Sequence, residues 1–136
     1  MDRKIISVLR ELDAFLNIEK MPGSRGVRDT ETGVPIDFLI AGEFPGDGRP
    51  KSVRFPRPDC IARSETSMRA LDLRTLIELK LASGMSTPDR LQDLADVLSL
   101  TRANGLTESF AETLDESVRQ KYRELWTAAQ HPPREL

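Results

Sequence analysis

Between Leu71 and Leu100 the chain spells two helices with a punctuated break, LDLRTLIELKLASGMSTPDRLQDLADVLSL, and this pair limits what everything around it can become. Gly84 is expected just past the end of the first helix. Thr87 then offers an N-cap hydroxyl, Pro88 a φ already set for a first turn, and Asp89 a negative charge at the positive end of the second helix dipole. At about 100° per residue, Leu73, Leu76 and Ile77 form an apolar arc with Leu81 at its edge, and Lys80 falls inside that arc. A cationic side chain placed there must snorkel to a rim or meet an anion, because an unpaired buried charge costs several kcal/mol. On the second helix Leu91, Leu94, Ala95 and Leu98 read as the core stripe, with Asp89, Asp93 and Asp96 along the opposite side. Two readings stand side by side: a solvated acidic face beside a snorkelling lysine, or a helical pair that presents a lysine and carboxylates to a site.

Around this pair, 136 residues at 38% hydrophobic content allow one compact domain with a real core. Its parts are an N-terminal helical segment over 1–20, a strand and loop region over 24–70 and a helical region over 72–130. A net charge of −2 argues against a surface given wholly to nucleic acid or anionic membrane. No apolar run approaches the ~20 residues of a membrane span, so a soluble, cytoplasmic protein with no membrane partner is expected. Cys60 is the single cysteine, which rules out an internal disulfide, and the single histidine, His131, sits in a Pro-rich tail, QHPPREL. Histidine-based catalysis and histidine-rich metal sites are therefore poorly served.

Taken in order, Ile5, Val8, Leu9, Leu12, Phe15 and Leu16 recur at helical spacing and predict an amphipathic helix over Arg3–Ile18. Pro22 to Pro58 then holds six of the nine prolines and six of the eight glycines, so regular helix is not expected there. Val27–Asp29, the turn Thr30–Gly33 and Val34–Ala41 read as strand, turn, strand. Both faces of the second strand are apolar apart from Asp37, and a carboxylate in such a strand needs a cation, hydrogen-bond donors or a raised pKa. If the turn pairs Asp29 with Val34, Arg28 faces Pro35 and lies diagonally from Asp37. That leaves an Arg28–Asp37 ion pair and a metal or ligand role for Asp37 both open.

Gly42–Pro50 is a loop by composition whose glycines could bring backbone N–H groups to a phosphate. Arg49, Lys51, Arg54, Arg57 and Arg63, with Phe44 and Phe55 nearby, form the candidate polyanion patch for a nucleotide or RNA. Past the central pair, Asn104–Gly105 closes the second helix, and Thr107 and Asp115 read as N-caps of a short and a longer helix. The longer one carries the stripe Val118, Tyr122, Leu125, Trp126 and Ala129, in which Trp126 reads as a core anchor.

Asp37 followed by Glu78-Leu79-Lys80 imitates the Asp…Glu-x-Lys pattern of Mg-dependent restriction-type nucleases. That motif needs Glu and Lys on one face of a strand, whereas a helix separates them by ~200°. The segments Val34–Leu39, Leu76–Gly84 and Arg90–Val97 together resemble the later half of minimal nucleotidyltransferase-like proteins, including abortive-infection type toxins of bacterial toxin–antitoxin systems, over about Arg28 to Trp126. The resemblance implies that Asp37 is the third metal-binding Asp, that Lys80 is the lysine of the following helix, and that Arg90, Asp93 and Asp96 match an Arg…Asp-x-x-Asp pattern. Lys80, Asp93 and Asp96 join Asp37 as catalytic candidates, Asp37 as the metal ligand, Arg49, Lys51 and Arg90 as nucleotide or phosphate ligands, and Mg²⁺ as the cofactor of an active site. The family's Asp-x-Asp signature is missing: Gly23-Ser24 precedes Asp37, but Leu39 stands where a second carboxylate would be.

The expected fold is α+β, a small, mostly antiparallel sheet packed by helices and resembling a truncated nucleotidyltransferase. The expected role is a nucleotidyltransferase-like protein with an incomplete site, or one that a protein partner or another copy of the chain completes. A non-catalytic interaction module is the other class.

Overall fold

The computed structural model describes residues 18–20, 26–61 and 70–132. It is α+β, and its contacts divide the chain into two compact units, residues 1–40 and 41–136. The expected helix over Arg3–Ile18 lies outside the described residues except for Ile18, which begins a strand, and so do Gly23, Ser24 and Arg63.

The first unit holds three short antiparallel strands, β1 (Ile18–Lys20), β2 (Gly26–Asp29) and β3 (Pro35–Asp37), in the order β1-β2-β3. The β2–β3 register is the one the turn sequence dictates, with Arg28 opposite Pro35 and Val27 opposite Ile36. The turn closes because Asp29 accepts from the Glu31 amide at 3.1 Å and from the Thr32 hydroxyl, while Gly33 takes the left-handed φ of 72°. Val27 is fully buried under Ile36, Phe38 and Ile40. The expected strand to Ala41 is longer than the ladder, which stops where Gly26 faces Asp37.

The second unit is built on α1 (Leu73–Ser86), α2 (Leu91–Ala103) and α3 (Glu116–Ala129). Asp72 starts α1 by accepting from the Thr75 amide at 2.9 Å, and Asp115 starts α3 by accepting from the Ser117 amide at 3.0 Å. Asn104 and Gly105, at φ 56°, end α2, and the Leu106 amide returns to Thr101 O at 3.1 Å. Ile77, Leu81, Val97, Leu114, Val118 and Tyr122 form the core, joined by Val53 from the loop region. Trp126 packs against this core and donates its indole N–H to Leu106 O at 2.8 Å, an anchor as its stripe implied. Among the described residues no helix is long and apolar enough to cross a membrane.

Three features of the central pair differ from the sequence reading. Gly84 does not end α1, which runs on to Ser86; it is buried inside the helix, where a Cβ would sit 2.6 Å from Leu94 Cγ. The glycine is there for close helix approach, not for a left-handed cap. Thr87 does not donate a cap to the second helix; its hydroxyl bonds the Asp89 carboxylate, and Pro88–Arg90 form a 3-10 turn before α2. Finally, α2 is rotated from its expected stripe. Val97 and Thr101 face the core, Leu94 and Leu98 are half-buried, and Leu91 is 67% exposed. The rotation turns Asp93 and Asp96 toward α1, and Thr101 remains satisfied in the core by donating to Val97 O at 2.8 Å.

Candidate functional site

Helical spacing on α1 places Lys80 and Ser83 on one face, three residues apart, and the rotation of α2 brings Asp93 and Asp96 to meet them. Lys80 Nζ donates to Asp96 Oδ2 at 2.7 Å and to Asp93 Oδ1 at 3.1 Å. The remaining carboxylate oxygens have their own donors: Ser83 Oγ reaches Asp93 Oδ2 at 2.6 Å and Gln92 Nε2 reaches Asp96 Oδ1 at 2.8 Å. Arg90 stands 3.9 Å from Asp93 Oδ2 and is half exposed. With Lys80 30% exposed, Asp93 19% and Asp96 34%, the cluster lies at the rim of the α1–α2 contact, where water screens it only in part. Lys80 both snorkels and meets anions.

The electrostatics follow from this geometry. Hydrogen bonding to Asp96, then to Asp93, raises the pKa of Lys80 against the opposing effect of burial. Lys80 and then Gln92 hold the Asp96 carboxyl below its usual range. Two aspartates three residues apart on one helix would repel, and one ammonium between them converts that repulsion into attraction.

The other candidates sit elsewhere. Asp37 lies at the exposed end of β3 in the first unit, opposite Gly26. Arg28 does not take it as an ion-pair partner: its guanidinium donates to Gly33 O at 2.7 Å, closing the hairpin turn. In the second unit Lys51 is held by Asp47 Oδ1 at 2.6 Å and Pro45 O at 2.7 Å, and Lys51 in turn pulls the Asp47 pKa down. Arg49 stays exposed, with its backbone N–H on Asp47 Oδ1 at 3.0 Å. Of the rest of the basic patch, Arg57 pairs with Asp59 at 3.1 Å and Arg54 lies over the Phe44 ring at 5.0 Å.

Glu78 and Lys80 lie on a helix and serve different partners. Glu78 Oε2 accepts from the Asp115 amide at 2.7 Å and from Arg74 at 3.1 Å, which ties α1 to the start of α3. Their side chains thus leave α1 about 200° apart, the separation that weighs against a nuclease motif. Glu78 is not near solvent as a free carboxylate would be; its side chain is 16% exposed.

A divalent ion such as Mg²⁺ demands several oxygen ligands, usually carboxylates and waters. Among the described residues no group of three or more His, Cys, Asp or Glu side chains is placed to hold a metal. Asp93 and Asp96 direct an oxygen each at Lys80, so a cation already stands between them. These residues do not fit a two-metal centre.

Sequence reading missed Ser83, Gln92 and Asp47. Ser83 is visible as the i+3 neighbour of Lys80, Gln92 as the i−4 neighbour of Asp96 and Asp47 as the i−4 neighbour of Lys51, but polar residues at those spacings are common on any helix or loop. Gly46, at φ 77°, packs so closely on α1 that a Cβ would lie 2.9 Å from Ser83 Cα, and Asp47 N–H then donates to Ser86 Oγ at 3.1 Å. The glycines of the loop thus seat it on α1. No protein-family model, curated protein or solved structure matches the chain, so the site stands on its own geometry.

Proposed function

We propose that the chain is a nucleotidyltransferase-like protein, of a bacterial toxin–antitoxin or defence system, whose catalytic site is incomplete and which transfers no nucleotide on its own. The observation that supports this reading is the Lys80 bridge, 2.7 Å to Asp96 and 3.1 Å to Asp93. Three residues that the resemblance assigns to one site meet in space, yet they are engaged with one another. Two of the three ammonium N–H bonds of Lys80 are spent on carboxylates, which leaves one for a phosphate oxygen. Arg90 and Arg49 add exposed positive charge of the kind that positions an anion. Weak nucleotide or RNA contact is compatible with this set; activation of an attacking hydroxyl is not, because no described group at the cluster is a free general base.

The test is incubation with labelled nucleoside triphosphates and Mg²⁺ or Mn²⁺, with Asp37→Ala as the control. The expected outcome is no label transfer above background. Transfer that Asp37→Ala abolishes would mean that the site is complete and that the reading is wrong.

A further inference from the structure

Lys51 takes no part in the Lys80 cluster, yet a whole loop is organised to hold it. Gly46, at φ 77°, lets the chain turn against α1, and the Asp47 N–H donates to Ser86 Oγ at 3.1 Å. From that turn Pro45 O and Asp47 Oδ1 accept from Lys51 Nζ at 2.7 Å and 2.6 Å. The base of the loop is closed by the Gly42 N–H on Phe55 O and the Phe55 N–H on Glu43 O, both at 2.9 Å. Two of the three ammonium N–H bonds are therefore committed, and the side chain is only 21% exposed.

Lys51 forms part of the wall of an open hollow of about 160 Å³. Most of that wall is apolar: Val53, Ala82 and Val118 come from the core, and Met85 stands at the exposed rim. Ser86 and Ser117 complete it, and both have given their hydroxyl protons away, to Ser83 O at 2.7 Å and to Asp115 Oδ1 at 2.5 Å. What the wall still offers is the third N–H of Lys51 and a lone pair on each hydroxyl oxygen. An apolar hollow with a few convergent polar groups is the usual form of a small-molecule site.

We propose that this hollow binds a compact, neutral, largely apolar small molecule of about seven non-hydrogen atoms, anchored by one oxygen that accepts from Lys51. Volume sets the size, since an apolar cavity of about 150 Å³ takes benzene. Charge sets the class. Asp47 Oδ1 lies 2.6 Å from Lys51 Nζ, so a carboxylate or phosphate brought to the remaining N–H would face an anion, whereas a hydroxyl or carbonyl oxygen meets no such repulsion. So few contacting atoms give weak binding, with a Kd of about 1 mM. The hollow uses none of the residues of the Lys80 cluster, and the proposal does not depend on the nucleotidyltransferase reading.

The test is amide NMR of the full chain titrated with phenol, benzene and benzoate. Phenol should give saturable shifts at Val53, Ala82, Met85 and Val118 and none at Lys80 or Leu91. It should bind about fivefold more tightly than benzene, the effect of one hydrogen bond, and more tightly than benzoate. Met85→Ala, at an exposed position of the wall, should weaken phenol and benzene alike by about threefold. Lys51→Met keeps an apolar body of similar length and removes the donor, so phenol should fall to the affinity of benzene while benzene is unchanged. No saturable shift with phenol, shifts centred elsewhere, benzoate as the tightest of the three, or affinities indifferent to Met85→Ala or Lys51→Met would each overturn the proposal. Loss of benzene binding in Lys51→Met would make the lysine a support of the loop and overturn its role as the anchor. The three wild-type titrations need no variant, so they decide the ligand class even where a substitution disturbs the loop.

Discussion

Each unit places a charge among apolar residues, and the two resolve the conflict in opposite ways. Lys80 sits at the rim of the α1–α2 contact, where water reaches its ammonium only in part, and α2 turns its aspartates toward α1 to meet it. Asp37 sits at the end of an edge strand, where water reaches it, and no rearrangement of the hairpin is needed. What separates the cases is whether the backbone lets solvent approach. A charge in an apolar pattern is thus informative about its neighbours when it lies between two packed helices, and about sheet position when it lies on a strand.

The comparison breaks most sharply at Gly84. If the close approach of α2 is what forces Lys80 to find protein partners, Gly84→Val should cost about 3 kcal/mol, because the new side chain must displace Leu94, whose Cγ and Cδ2 lie 2.6 Å from the Cβ position. A shift of the denaturant midpoint at unchanged m-value would measure it. A cost below about 0.5 kcal/mol would mean that the helices are not tightly engaged there.

Next in size is Lys80→Met, expected to destabilise by about 1–2 kcal/mol, since it leaves Asp93 and Asp96 facing each other with only part of their charge solvated. Adding Asp96→Asn should recover part of the loss, a non-additivity that a double-mutant cycle reads directly.

The pH profile separates the partners. Asp96 has a lowered pKa in the folded chain, so its contribution is complete above the ordinary aspartate value near about 4 and fades as pH falls through the lowered one. Lys80 has a raised pKa, so its contribution is complete below the ordinary lysine value near about 10.4 and fades as pH rises through the raised one. Thermal melts across pH should show the acid limb of stability flattened in Lys80→Met. An unchanged limb would assign the acid sensitivity to other groups, such as Asp47 on Lys51 or Asp72 on Thr75.

How far the sequence could foresee this follows from the range of each signal. The hairpin register, Gly33 in its turn, the caps Asp115 and Asn104–Gly105 and the stripe carrying Trp126 rest on residues a few positions apart, and all are as the local rules require. The rotation of α2 was not legible, because Leu91, Leu94, Ala95 and Leu98 make a better apolar stripe than the face that is used. The choice fell to Lys80 and Gly84, thirteen and ten residues before Asp93 and Leu94 respectively, hence to tertiary contact. Gly84 was misread for the same reason: a glycine near a helix end looks alike whether it ends the helix or admits a neighbour. Asp37 was read as a charge in a two-sided apolar strand, which is correct of its pattern, but exposure depends on strand order, and that is not written in the strand itself.

The smallest effect tests the other half of the comparison. Asp37→Asn should change stability by less than about 0.5 kcal/mol, the range of exposed substitutions, because the carboxylate stands in water and Arg28 is engaged with Gly33 O at 2.7 Å. Asparagine keeps the size and a hydrogen-bond acceptor, so the change isolates the charge. A double-mutant cycle with Arg28→Ala should return no coupling beyond error, as the two side chains share no bond. Arg28→Ala alone should cost more than Asp37→Asn, since it removes a donor from a turn carbonyl. If Asp37→Asn instead destabilises by more than about 1 kcal/mol, or couples to Arg28, the strand charge is held by the protein as the helix charge is, and the distinction between an edge that releases a charge and a helix contact that captures one does not hold for this chain.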